Sequence, residues 1–208
     1  MANTLVFPDG VSLATREEIP GPSAVREEIW ERVRNANIAP GFVTKVANDP
    51  AFQFYAEANV DATVVWSVFR DLVEALVGSR GILLFAHKDD ETPAALGEGN
   101  VSDLLSALEP HVYQLQHDGY VQFGIVQQSD AQIDEVFVSV TKHFKIWFND
   151  EVAFRDVMSK HNLVAADKLE FIDEYPRVTR ALPAEKVVRN ADHLAELLVA
   201  ALRGASPS

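Results

Sequence analysis

The apolar run Ile82-Leu83-Leu84-Phe85-Ala86 leads directly into His87, Lys88, Asp89, Asp90 and Glu91. A strand that delivers an imidazole and three carboxyls into the loop at its carboxyl end puts them where α/β enzymes commonly carry catalytic groups. Because the chain has no cysteine, any metal site would have to be built from His, Asp and Glu groups such as these. The competing expectation is a solvated acidic loop. A second group lies in Leu169-Glu170-Phe171-Ile172-Asp173-Glu174-Tyr175-Pro176-Arg177-Val178, where acidic groups and an aromatic meet at a strand–turn junction. Tyr and Arg are frequent anchors of protein interfaces, so this segment reads as a charged turn or as an exposed binding edge. As an edge it would also use Asp167 and the acidic positions Asp130, Asp134 and Glu135.

The string Ala86-His87-Lys88-Asp89-Asp90-Glu91 resembles the Ala-His-Pro-Asp-Asp-Glu motif of the zinc-dependent deacetylases of the LmbE/PIG-L family, with Lys88 in place of the proline. The resemblance implies His87 and Asp90 as zinc ligands and Asp89 as the base that activates a metal-bound water. It also implies a third ligand from a later His motif, for which Asp192-His193 is the nearest match. The match covers about ten residues, and the Gly-Gly that normally follows the motif is absent.

Other chemistries are excluded or lack their signatures. With no cysteine among 208 residues, disulfides, thiolate metal sites and cysteine nucleophiles are impossible. No Gly-x-Ser-x-Gly elbow occurs. Gly97-Glu98-Gly99-Asn100 is a glycine pair before a helix, but Glu98 would repel phosphate and no Gly-Lys-Ser/Thr follows. His111 and His117 are not at helical i, i+4 spacing, and His143 and His161 fall in separate elements. Acidic residues outnumber basic ones 31 to 18, for a net charge of −13. Such a surface repels nucleic acid and anionic lipid and attracts basic partners. No apolar run approaches the roughly 20 residues of a membrane span, and Pro8-Asp9-Gly10 with Arg16-Glu17-Glu18 interrupts any signal-peptide core, so a cytoplasmic location is expected.

The elements that must position these groups follow from turn signals and periodicity. Thr4–Phe7 and Val11–Thr15, separated by Pro8-Asp9-Gly10, read as a hairpin. Ser23 begins a helix with Val25, Ile29 and Val33 on one face, ending near Asn37. Positions 39–49 read as a loop and Phe52–Ala58 as a strand. Asp61 caps a helix with a wide apolar face and Gly78 stands where a left-handed cap belongs. After a turn-rich stretch from Lys88 to Asn100, Val101–Leu108 reads as a short helix that starts at Asn100 or Ser102 and that Pro110 stops. Tyr120–Gln127 and Ile133–Phe148 form an antiparallel pair, with a bulge or break near Lys142 where the alternation slips. A helix from Asn149 or Asp150 closes near Asn162, short strands follow at Leu169–Ile172 and Arg177–Leu182, and a final helix runs from Pro183 through Val187 toward Gly204.

Helices interspersed with hairpin-like strand pairs predict a single α+β domain with a mainly antiparallel sheet packed by amphipathic helices. Gly119–Phe148 together with Leu169–Thr179 resemble, in general character, the bacterial immunity proteins that neutralise polymorphic or contact-dependent toxins. That resemblance implies a non-catalytic cytoplasmic protein without cofactor, which binds a basic partner protein and occludes it. Asp89, Asp90, Glu91, Asp173, Glu174 and Tyr175 are then the expected binding residues.

Overall fold

The computed structural model describes residues 4–129, 131–183 and 190–205, so the expectations on Asp130 and Val187 lie outside the described residues. In chain order the elements are β1 (Val11–Leu13), α1 (Ser23–Arg34), β2 (Gly41–Val46), β3 (Phe54–Asn59), α2 (Val65–Leu76), β4 (Arg80–His87), β5 (Ala94–Asn100), α3 (Val101–Leu108), α4 (Val112–His117), β6 (Val121–Gln128), β7 (Ile133–Val138), β8 (Phe144–Phe148), α5 (Glu151–Lys160), β9 (Arg177–Thr179) and α6 (Ala191–Ala205). Seven strands form one sheet in the order β2-β3-β8-β7-β6-β4-β5, and every neighbouring pair is antiparallel. The α+β architecture expected from the sequence is therefore the one observed.

Strand alternation decides what the sheet buries. Leu83 stands across from Ile125, Ile125 from Val136, Val136 from Ile146 and Ile146 from Ala56, which makes one apolar row across five strands. Every one of these side chains is fully buried, and α2 packs on them with Val65, Val68, Phe69 and Leu72. Edge-on contact of Phe69 with Phe123 at 4.8 Å and stacking of Phe148 on Phe154 at 4.4 Å tie α2 and α5 to the sheet. The opposite face carries Tyr55, Trp147, Glu135, Phe137, Ile82 and Leu84, none of which belongs to the helix-covered core.

Several local expectations are corrected. Val11–Leu13 does not pair with the chain before Pro8; it pairs with β9, giving a separate two-stranded sheet. The turn itself forms, with the Val11 N–H donating to the Pro8 carbonyl, but Leu5 runs beside Ile38 and Val6 donates to Asp61 Oδ1. Positions 41–46 are a strand because Phe42, Val43, Thr44 and Val46 are good strand formers, while the flanking Pro40 and Asn48-Asp49-Pro50 only mark its ends. Gly41 adopts φ 152°, and a Cβ there would lie 2.8 Å from the Val164 carbonyl oxygen.

The stretch after Lys88 contains edge strand β5, paired to β4 with a register shift at Leu83/Leu84. Its Ala, Gly and Glu residues carry little strand signal, and the neighbouring strand supplies the order. Gly78 is not left-handed, since Val77 ends α2. Helix α1 stops at Arg34, and Val25 is exposed. Leu169–Ile172 is not a strand but the approach to a 3-10 turn at Ile172–Glu174, and strand pairing beyond it ends at Thr179. Pro183 lies ahead of α6, outside any helix. The break expected near Lys142 is a full chain reversal, with Lys142 at φ 62°.

Candidate functional site

The register of the sheet brings much of the ionisable chemistry to one end. His87, at the close of β4, stands across from Val121 at the start of β6, and the β7–β8 reversal at 139–143 lies at that same end. The His87–Glu91 segment folds onto itself. Asp90 Oδ2 accepts the His87 backbone N–H at 2.7 Å, and the Asp90 N–H donates back to the His87 carbonyl at 3.0 Å. Lys88 lies over the Tyr120 ring at 4.3 Å, and the His87 ring meets Tyr120 edge-on at 5.4 Å. Asp89 and Glu91 point to solvent, Asp89 with only long contacts to His87 Nδ1 (3.8 Å) and Lys88 Nζ (3.7 Å).

The zinc expectation is not supported by this geometry. Among the described residues no three His, Asp or Glu side chains come together in a metal-holding arrangement. Asp90 spends its carboxylate on the loop backbone, and His193 on α6 faces Glu196 Oε2 at 2.9 Å. The triad His87, Asp90 and His193 that the resemblance implies is therefore not assembled among the described residues.

The second acidic segment is tied inward. Tyr175 donates to Glu170 Oε2 at 2.6 Å, and that oxygen also receives the Asn37 N–H at 2.7 Å. These bonds hold Glu170 below the usual carboxylate range, and the hydrogen bond to Glu170, followed by burial, pushes the Tyr175 hydroxyl up to about 12. Glu174 accepts from the Phe171 N–H at 3.0 Å and so closes its own 3-10 turn. Asp173 faces the β7–β8 reversal.

At that reversal sits a constellation that the sequence reading missed. His143 Nδ1 lies 2.8 Å from Asp173 Oδ2, 3.0 Å from Ser139 Oγ and 3.1 Å from Thr141 Oγ1, and Thr141 donates to Asp173 at 2.8 Å. Arg177 reaches Asp173 Oδ1 at 2.8 Å. Burial works against the ionised Asp173, yet the His143 hydrogen bond and charge, with Thr141 and Arg177, hold its carboxyl below the ordinary range. A hydrolase triad places hydroxyl and carboxylate on opposite ring nitrogens. Here they crowd onto Nδ1, while Nε2 faces Glu57 at 3.9 Å. The arrangement locks a hairpin to a turn; it does not activate a hydroxyl.

Next to it Lys142 is buried, with its Nζ donating to the Val121 carbonyl and lying 5.9 Å from the Phe123 ring centre. Burial lowers its pKa to about 7 against the opposing pull of Asp118. A third buried ionic group joins the two helices on the sheet. Asp71 of α2 meets His161 Nε2 at 2.6 Å and Lys160 Nζ at 2.7 Å, beside a cleft of about 330 Å³ between α2 and α5. A larger cleft of about 610 Å³ lies near Phe54, Asp134, Asn149 and Val152, but Asp134 is satisfied there by Asn149 and Gln132.

The signal for the His143 group was present in Ser139-Val140-Thr141-Lys142-His143, yet a strand reading gave no reason to fold those side chains onto Asp173, which lies 30 positions on. No helix of the described residues is long and apolar enough to cross a membrane. No family model matches the chain, and no curated protein or solved structure does.

Proposed function

We propose that this chain is an acidic protein-binding domain, and that of such domains an immunity protein occluding a cognate bacterial toxin fits it best. The observation that carries this reading is charge and where it is displayed. The chain bears −13, and while Asp71, Asp173 and Glu170 are spent on internal partners, Asp89 and Glu91 stand exposed on one self-closed loop, beside Asp90, which is exposed but gives Oδ2 to the His87 N–H. A fixed loop of carboxylates steers a basic partner toward docking and raises the association rate more than the final affinity. Asp173 and Tyr175 enter this reading as the frame beside the interface, with the exposed Glu174 at its rim. The test is co-expression with the product of the neighbouring gene, where an immunity gene is expected to have its toxin. Growth rescue, and slower association after reversal of Asp89, Asp90 and Glu91 to lysine, are expected; rescue and binding indifferent to that reversal would overturn it.

A further inference from the structure

The face of the sheet turned away from the helices has the features of a contact surface. Tyr55 and Trp147 stand directly across from one another on β3 and β8, their rings 5.1 Å apart, and Trp147 in turn stands across from Glu135 on β7. Ile82 and Leu84 extend the apolar area over β4, while Phe137 and Val126 between them are buried and form its floor. Tyr55, Trp147, Ile82 and Leu84 are only half-buried, and the helix-packed core does not include them. Aromatic groups held on a rigid sheet are the residue types that dominate binding energy at protein interfaces.

Glu135 decides the partner. Its cross-strand neighbours are Trp147 and Val126, so its carboxylate sits in an apolar row, and it makes no hydrogen bond or ion pair with any described residue. In the next row Glu57 has Lys145 directly across, whereas Glu135 has no cation across from it. Burial already works against its charge and raises its pKa. A partner that covered it with apolar groups alone would strand a desolvated carboxylate at high cost.

We infer that this open sheet face is the docking surface for a partner protein that lays apolar side chains on Tyr55 and Trp147 and delivers one arginine or lysine to Glu135. The inference rests on the reading of a basic partner and says where that partner seats, with the acidic loop steering and the sheet face anchoring.

The experiment selects a display library of random twelve-residue peptides on the purified chain and re-tests the enriched peptides on three variants. Glu135→Gln is near-isosteric, Trp147→Ala removes the anchor, and Asp89→Asn/Asp90→Asn/Glu91→Gln neutralises the loop; circular dichroism checks each fold. The expected result is peptides pairing a basic residue with apolar ones, at least tenfold weaker on Glu135→Gln and at most threefold weaker on the loop variant. Basic peptides that lose binding only on the loop variant would overturn the sheet-face assignment and leave the basic-partner reading standing. Peptides without basic residues, or no enrichment, would overturn both. Concentration-dependent dimerisation lost in Trp147→Ala would assign the face to a second copy of the chain and overturn the inference.

Discussion

Replacing Lys142 with methionine tests whether the β7–β8 reversal carries a buried amine. Lys142 is 2% exposed and its pKa falls from 10.5 to about 7 because burial disfavours the ammonium more than Asp118 supports it. A base whose pKa is lower folded than unfolded makes the unfolded state bind more protons between those two values, so stability rises with pH across that window. At about 1.4 kcal/mol per pKa unit, the wild type should gain about 3 kcal/mol between roughly pH 6.5 and 9.5 from this group alone. Methionine keeps the volume, removes the titration and leaves the Val121 carbonyl short of a donor, at a cost of about 1–3 kcal/mol that does not depend on pH. Urea unfolding of both proteins at the two pH values isolates the titration, since exposed groups cancel in the difference. The wild type should gain about 3 kcal/mol on the variant as pH rises. A difference constant to within about 1 kcal/mol would mean that Lys142 stays charged and solvated, and would refute the buried placement.

Asp173→Asn should lower stability by about 2–4 kcal/mol, measured by chemical denaturation, because it uncouples His143 and Arg177 from a half-buried carboxylate. Asp71→Asn should cost about 1–3 kcal/mol at neutral pH, discounted because Lys160 is exposed. The folded Asp71 pKa is depressed, so its contribution is complete above 3.8 and is lost as pH falls through the folded value; acid titration should therefore hurt the wild type more than the variant. Gly124→Ala should cost about 1–3 kcal/mol in thermal or urea unfolding, since its Cβ would meet Phe137 Cδ2 at 2.7 Å and the Val136 carbonyl oxygen at 2.8 Å.

What the sequence made legible was periodicity, and what it hid was partnership. The alternation in Val136, Val138, Phe144, Ile146 and Phe148 assigns the core face correctly on both sides of the reversal, because the reversal preserves their parity. Asp150, whose side chain accepts the Ala153 N–H at 2.9 Å, was readable with Asn149 as a cap candidate from local chemistry, whereas Asn100 precedes α3 without a side-chain cap bond and donates to Asp103 Oδ2 instead. β1 and β9 were not readable as partners, since 163 positions separate the end of one from the start of the other and neither has a pattern that names its mate. β5 hid for another reason: its Ala and Gly residues acquire strand geometry only from β4. The acidic cluster at 170–174 looked like a surface because composition registers carboxylates without their acceptor roles: Tyr175 folds back on it locally, and Asn37 and His143 reach it from distant parts of the chain. The His87–Glu91 string matched a metal motif by type, yet the backbone turn consumes Asp90.

The central claim is that this acidic domain binds a basic partner protein. The most direct measurement is titration calorimetry of the purified chain against the product of the adjacent gene at about 50 and 300 mM salt, with association rates followed in parallel. A one-to-one complex whose association slows at least several-fold with added salt is predicted, because exposed carboxylates steer over distances near the Debye length. No heat of binding, or a complex whose association rate ignores salt, would contradict it.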